Sequence, residues 1–273
     1  MFEAVAIWAR TQRCSLSTSI HLSPGQVAAS LALVALAAAI SFWQKADLER
    51  DIGIATARSF VQLTAIGYAI KLIFEADTLW LVFALLAVMV VFGALTARSR
   101  AKKVPGAFWP LLIALALAGG TTLGLVVALG VFEPTARYLV PVGGMVIGNA
   151  MTASAVALNR LGDEMADSRN KIEATLALGA TAQEAAAPFV HRALRSGMIA
   201  LVDSTKTTGL IFFPGTMVGM LLAGANPTDA VRLQLILLYA LLGSVAIAGL
   251  LATALAYRNF FTSAQQLIEL EPG

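Results

Sequence analysis

The sequence predicts an all-α, polytopic transmembrane bundle. Three observations carry that reading: 58% hydrophobic residues against 13% charged, a mean hydropathy of +0.79, and repeated apolar runs near the roughly 20 residues that a bilayer requires. A soluble chain of 273 residues would need far more charge to cover its surface. Inside hydrocarbon only helices and closed barrels satisfy their backbone groups, and these runs are too continuous for the alternating strands of a barrel.

Seven helical spans are expected, at about Gly25 to Trp43, Ile52 to Phe74, Leu79 to Ala97, Trp109 to Val131, Leu139 to Leu161, Ser196 to Leu222 and Val231 to Tyr257. Residues 1 to 24 form a leader with Arg10 and Arg13 after a short apolar patch. A secretory signal carries its charges before the apolar region, so a cleaved signal is not expected. A segment lying on the membrane surface and a poorly ordered leader both fit. Cys14 is the one cysteine, so no internal disulfide is expected. The permease domain is placed at 25 to 273.

Basic residues orient the spans. One set of loops carries Lys45 and Arg50, then Arg98, Arg100, Lys102 and Lys103, then Arg160, Arg169, Lys171, Arg192 and Arg195, and finally Arg258. Apart from the leader, the other set offers Arg137 and Arg232. The positive-inside rule makes the first set cytoplasmic, with the N-terminus outside and the C-terminus in the cytosol.

The longest cytoplasmic interruption is then about Gly162 to Arg195. Ile172 and Leu176 recur at helical spacing, and Gly179 is placed to stop that helix. Thr181 and Glu184 form an S/T-x-x-E capping box that starts another. Two short helices joined at a sharp corner are expected, with Ala174, Ala177, Gly179 and Ala180 small enough to admit another protein's backbone. A solvated loop helix with an ordinary cap is the plainer alternative.

Charges within spans cost about 2.5 to 3.5 kcal/mol each on insertion scales and are functional candidates. Lys71 lies near a span end and can snorkel. Arg58, Asp203 and Lys206 lie at matching depths of about 10 to 15 Å from the cytosol, at 1.5 Å per residue. Asp203 and Lys206 are one turn apart and can pair, leaving Arg58 to face water, Gln62 or a substrate; a structural ion pair between spans is the competing reading. In the fifth span Asn149 and Thr152 supply polar groups near the midplane, for a pathway or for bonds between helices. Gly144 and Gly148 precede them at the spacing that permits close packing. In the sixth span Pro214 removes a backbone donor and Gly215 allows a bend, so the helix is expected to kink or open. Met145, Met151, Met217 and Met220 are either soft metal contacts or flexible packing.

"EATLALGA", with Glu173, Ala174 and Gly179, resembles the E-A-A-x-x-x-G motif of ABC-transporter permeases, although Thr175 takes the third position. Together with "GGMVIGNAMTASAVALNRL" and "DSTKTTGLIFFPGTMVGMLLAGANPTDAVRLQ", in that order, it is similar to the FetB-type permease family, tied to iron export and to plant aluminium tolerance. The resemblance covers about Ile52 to Phe261. It implies a membrane-spanning permease subunit, exporting iron or another metal, with Glu173 a polar contact to a cytosolic ABC ATPase. That chain would bind ATP and Mg, and the permease would be a homodimer in a bacterial inner membrane. The residues agree on one point: no lysine is preceded by glycine, so no phosphate-cradling loop is present and no cofactor is expected on this chain. Neither enzymatic activity nor a nucleic-acid partner is expected. The alternatives are an exporter of an organic anion or nucleotide sugar, and a stand-alone channel or ion-coupled secondary transporter.

Overall fold

A computed structural model describes residues 24–76 and 78–268; the leader call on residues 1 to 23, Cys14 included, lies outside them. Among the described residues the chain is helical, with β structure limited to two isolated bridges. The helices are α1 (Pro24–Gln44), α2 (Glu49–Ala76), α3 (Leu79–Arg100), α4 (Phe108–Ala128), α5 (Ala136–Asp167), α6 (Arg169–Ala177), α7 (Ala182–Thr207), α8 (Gly215–Leu222) and α9 (Pro227–Ala256), followed by a 3-10 turn at Tyr257–Phe260. Helices α1 and α2 form one compact unit, and the chain from α3 onward forms a second.

Four helices, α3, α4, α5 and α9 with its terminal turn, are long and apolar enough to cross a membrane. The chain is thus a helical membrane protein. Helix α1 contributes a shorter apolar stretch, Ala28–Gln44. Helix α2 is interrupted by Arg58 and Lys71, and α7 by Arg192, Arg195, Asp203 and Lys206.

Two boundaries differ from expectation. Helix α5 does not stop at Leu161 but continues to Asp167, because Leu161 and Met165 remain fully buried against the core and hold its last turns in place. The helix after the corner is not short either. It runs 26 residues, from Ala182 through Arg195 into the expected sixth span, so the interruption is a bent helical arm rather than a loop. The sixth span is itself broken. Helix α7 ends at Thr207, and Pro214 becomes the residue that starts α8.

Helix α5 lies at the centre of the second unit and packs against α3, α4, α7 and α9. Lipid tails are as apolar as leucine, so helices here associate by close packing rather than by expulsion of water. Small residues provide it. Ala150, Ser154 and Ala157 on α5, Ala114 and Ala118 on α4, and Ala248 and Ala252 on α9 are all fully buried. The expected Gly144–Gly148 seam is realised on one side only. A Cβ on Gly144 would stand 3.0 Å from the Met89 methyl, whereas Gly148 has open space beside it. The tightest approach to a neighbouring backbone is elsewhere, at Gly197 of α7, where a Cβ would lie 2.6 Å from the Ala153 carbonyl oxygen and 2.9 Å from the Ala157 methyl.

That crossing yields a prediction. Gly197→Val must push α5 and α7 apart, and overpacking of this kind costs about 1–3 kcal/mol. The apparent melting temperature of the purified protein in detergent should fall. Gly148→Ala should leave it unchanged or raise it, since alanine favours a helix interior over glycine by about 0.5–1 kcal/mol. Equal losses at both positions would contradict the packing described.

Candidate functional site

The corner between α6 and α7 is capped from both sides. Ala180 N–H donates to the Thr175 carbonyl at 3.3 Å and Gly179 N–H to that of Leu176 at 2.9 Å, the paired bonds of a Schellman ending. Gly179 sits at φ +90°, a left-handed conformation that costs a side-chain-bearing residue about 1–2 kcal/mol. No heavy atom lies within 4 Å of where its Cβ would stand. On the far side the expected capping box is formed: Glu184 N–H donates to the Thr181 hydroxyl at 3.3 Å, and Thr181 N–H to the Glu184 carboxylate at 2.8 Å. Those donors, the Thr181 backbone first and its hydroxyl second, hold the Glu184 carboxyl below its ordinary range. A depressed carboxylate stabilises above its unfolded pKa and loses that contribution as pH falls through the folded value, so this cap is intact at neutral pH.

Ile172 is fully buried and anchors α6 to the core. Outward from it, Glu173, Ala174, Ala177, Gly179, Thr181 and Glu184 are all exposed, with Ala180 half-buried. Glu173 accepts from Arg169 at 2.8 Å, one turn away. Every residue of the expected docking element is thus at least partly exposed at the corner. It also presents Leu178, 90% exposed, which sequence reasoning passed over because a leucine beside Ile172 and Leu176 reads as core. A second unforeseen contact is Gln265, whose side-chain oxygen accepts from the Ala182 N–H at 3.0 Å across 83 residues.

Where α5 and α7 cross, a cavity of about 200 Å³ is lined by Asn149, Thr152, Ser196 and Ser204 among apolar neighbours. The polar groups turn their protons onto their own helices: Asn149 to the Met145 carbonyl at 2.8 Å and Thr152 to that of Gly148 at 3.1 Å. Asp203 and Lys206 line a different cavity, of about 490 Å³, with His191 and Arg195. They pair with each other at 2.9 Å, and both side chains are exposed. In the first unit Arg58 and Gln62 are exposed on α2.

The break between α7 and α8 is closed locally. Gly209 takes φ +85° and its N–H donates to the Phe212 carbonyl at 2.9 Å, so the chain turns before Pro214 rather than at it. Leu210 and Ile211 are 89% and 78% exposed. Thr216 donates to the Met145 sulfur at 3.8 Å, tying α8 to α5, and Met151 packs against the main core. Met217 and Met220 are half-buried on α8. Among the described residues no group of three His, Cys, Asp or Glu side chains could hold a metal ion.

Below the corner lies a charge cluster that sequence reasoning missed. Glu164 is 8% exposed and accepts from Arg192 at 3.0 and 2.6 Å and from Arg160 at 2.6 Å. The Arg192 guanidinium also lies 4.9 Å from the centre of the buried Phe189 ring, a cation–π distance. Beside them Lys103 donates to Asp163 at 2.9 Å. Arg160 and Glu164 are one turn apart and could have been paired from their spacing. Arg192 stands 28 residues away from Glu164, and no local pattern announces it.

Comparison with known proteins gives this arrangement a family. Residues 24–261 match the family model described as "Uncharacterised protein family (UPF0014)". Over 240 residues, 88% of this chain and 84% of the relative, the sequence is 39% identical to the "UPF0014 membrane protein STAR2" of Oryza sativa subsp. japonica. It is 37% identical to the "Protein ALUMINUM SENSITIVE 3" of Arabidopsis thaliana, covering 88% of each chain. Identity to the "Probable iron export permease protein FetB" of Escherichia coli K12 is 33%, covering 92% of this chain and 96% of that one. No solved structure matches. The FetB-type resemblance drawn from three motifs is borne out, and the chain belongs to the UPF0014 family of membrane proteins.

Proposed function

We propose that this chain is the membrane-spanning subunit of an ABC exporter, paired with a second copy of itself and driven by a separate cytosolic ATPase that binds ATP and Mg. The observation that carries the reading is the corner: a doubly capped turn, anchored by Ile172 and ending in an exposed leucine beside an open glycine. A partner groove closing over this turn would cover Leu178 together with the small residues beside it. The chain's lack of a phosphate-cradling loop supports a partner for nucleotide chemistry.

The substrate reading, iron or another metal moved out of the cytosol, rests on the name of the Escherichia coli relative. The proposed pathway follows the α5–α7 crossing, with Asn149 and Thr152 in its cavity. Asp203 and Lys206 lie on the neighbouring face of α7, Pro214 and Gly215 follow at the broken helix, and Arg58 and Gln62 belong to α2. Seven spans, an outside N-terminus, a cytosolic corner and a bacterial inner membrane complete the reading, supported by the loop-charge asymmetry.

Three measurements test it. In a Cys14→Ser background, Glu133→Cys and Asp167→Cys should react with an impermeant thiol reagent from opposite sides; same-side labelling overturns the topology. Gly179→Val and Leu178→Asp should leave the protein inserted but weaken co-purification of the ATPase by about tenfold or more, the loss expected at an interface hot spot, and transport in vesicles should fall with it. Full ATPase binding by both variants would make the corner an ordinary surface turn. Asp203→Asn should lower transport by at least about tenfold; unchanged transport removes the pair from the pathway.

A further inference from the structure

Between the end of α3, the second half of α5 and the middle of α7 a cavity of about 300 Å³ is lined by Arg100, Ala155, Val156, Asn159, Arg160, Asp163 and Ser196. The charges around it do not cancel. Arg100, Lys103, Arg160 and Arg192 are four cations, against the three carboxylates Asp163, Glu164 and Asp167, the last acting on Lys103. Asp163 is taken up by Lys103 at 2.9 Å, and Glu164 by Arg160 and Arg192. Arg100 has no ion-pair partner among the described residues and is exposed at the last position of α3. Arg160 has one nitrogen on Glu164 at 2.6 Å, which leaves other N–H donors of its planar fork uncommitted. Ser196 gives its proton to the Arg192 carbonyl at 3.0 Å. The donors left for a ligand are therefore two guanidiniums and the Asn159 amide.

We infer that this cavity is a binding site for a phosphate group, held by Arg100 and Arg160 with Asn159 beside them. Guanidinium geometry matches phosphate oxygens bidentately, and Arg100 and Arg160 both line this open space. The level is right for a phospholipid headgroup: the apolar run of α3 ends at Ala97 and that of α5 at Leu161, so Arg100 and Arg160 stand where hydrocarbon gives way to headgroups. The volume is ample, since water takes about 30 Å³ per molecule and a phosphate with several waters fits. The Asp163 carboxylate on the wall is neutralised by Lys103 and does not repel the ligand. The cavity shares Val156 and Ser196 with the one at the α5–α7 crossing, so a phosphate bound here stands at one end of the same seam. The inference needs only a chain that lies in a bilayer; it is independent of transport direction and of any ATPase.

The test uses the full-length protein in nanodiscs of phosphatidylcholine with graded phosphatidylglycerol, reading retained lipid by native mass spectrometry, with inorganic phosphate as the soluble competitor. Arg98→Gln is the control, because it removes the same charge at the same level but does not line the cavity. Any surface cation near an anionic membrane contributes about fivefold. Arg100→Gln is expected to weaken phosphatidylglycerol retention at least tenfold, and Arg98→Gln fivefold or less. Asn159→Leu, which changes no charge, should weaken it about threefold or more. Displacement by inorganic phosphate that is sensitive to Arg100→Gln supports the same site with an aqueous ligand. Equal effects of Arg98→Gln and Arg100→Gln, with none from Asn159→Leu, would reduce the cavity to nonspecific surface charge and overturn the inference. So would binding of neither phosphate source.

Discussion

Close approach between α5 and α7 at Gly197 is the contact on which the rest of the second unit depends. A bilayer offers no solvent to squeeze out between helices, so two helices hold together only if their backbones come near enough for dense van der Waals contact. With the Ala153 carbonyl 2.6 Å from where a Cβ would stand, no residue but glycine fits at that point. The consequence reaches beyond packing. Two cavities open along the α5–α7 seam beside this contact, one holding Asn149 and Thr152 and one holding Asn159 and Arg160, and they share the wall made by Val156 and Ser196.

The same two helices are fastened again, nearer the corner, by a different force. Glu164 is nearly buried, yet its two arginine partners are each about half exposed. The pair energy is therefore screened, well below the roughly 3–5 kcal/mol lost when a wholly buried pair is broken. What the cluster supplies is orientation. Two guanidiniums converge on the two oxygens of one carboxylate, and Arg192 is further fixed over the Phe189 ring. This defines where α7 begins relative to where α5 ends. The corner is fixed on three sides: by the buried Ile172, by the capping box, and by Gln265 reaching back to the Ala182 N–H.

Features legible in the sequence were those with local spacing. Thr181 and Glu184 are three apart, Asp203 and Lys206 one turn apart, and Gly179 follows an amphipathic run; all three readings correspond to bonds or angles in the structure. Apolar runs likewise located the helices. What stayed hidden depends on contacts distant in sequence. Gly197 is one of 22 glycines, and only its position opposite Ala153 distinguishes it from Gly148, which the G-x-x-x-G spacing favoured and which faces open space. Burial of Met165 extended α5 past the last apolar residue of its run, a packing effect that no window of hydropathy registers. The break before Pro214 was legible as a break but misplaced by several residues, because the left-handed Gly209 turns the chain first. Glu164 and Arg192 read as two more charges in a polar segment.

Taken end to end, α7 connects these features in an order that has mechanical content. Its 26 residues span about 39 Å at 1.5 Å per residue. The corner stands at one end, the Arg192 clamp nearly three turns in, the Gly197 crossing just beyond it, then the Asp203–Lys206 pair, and finally the break at Thr208. A rigid helix moved at its first end must carry its other end with it. Force applied at Leu178 would act on the longer side of the Gly197 contact, and the displaced end carries the charge pair and the turn into α8. A free helix end suits that role better than a continuous span, because the chain at Thr208–Pro214 can absorb rotation in a few backbone dihedrals without unwinding a turn. On the proposed reading the broken sixth span is the far end of a lever whose near end is the docking corner, with the close contact at Gly197 between them.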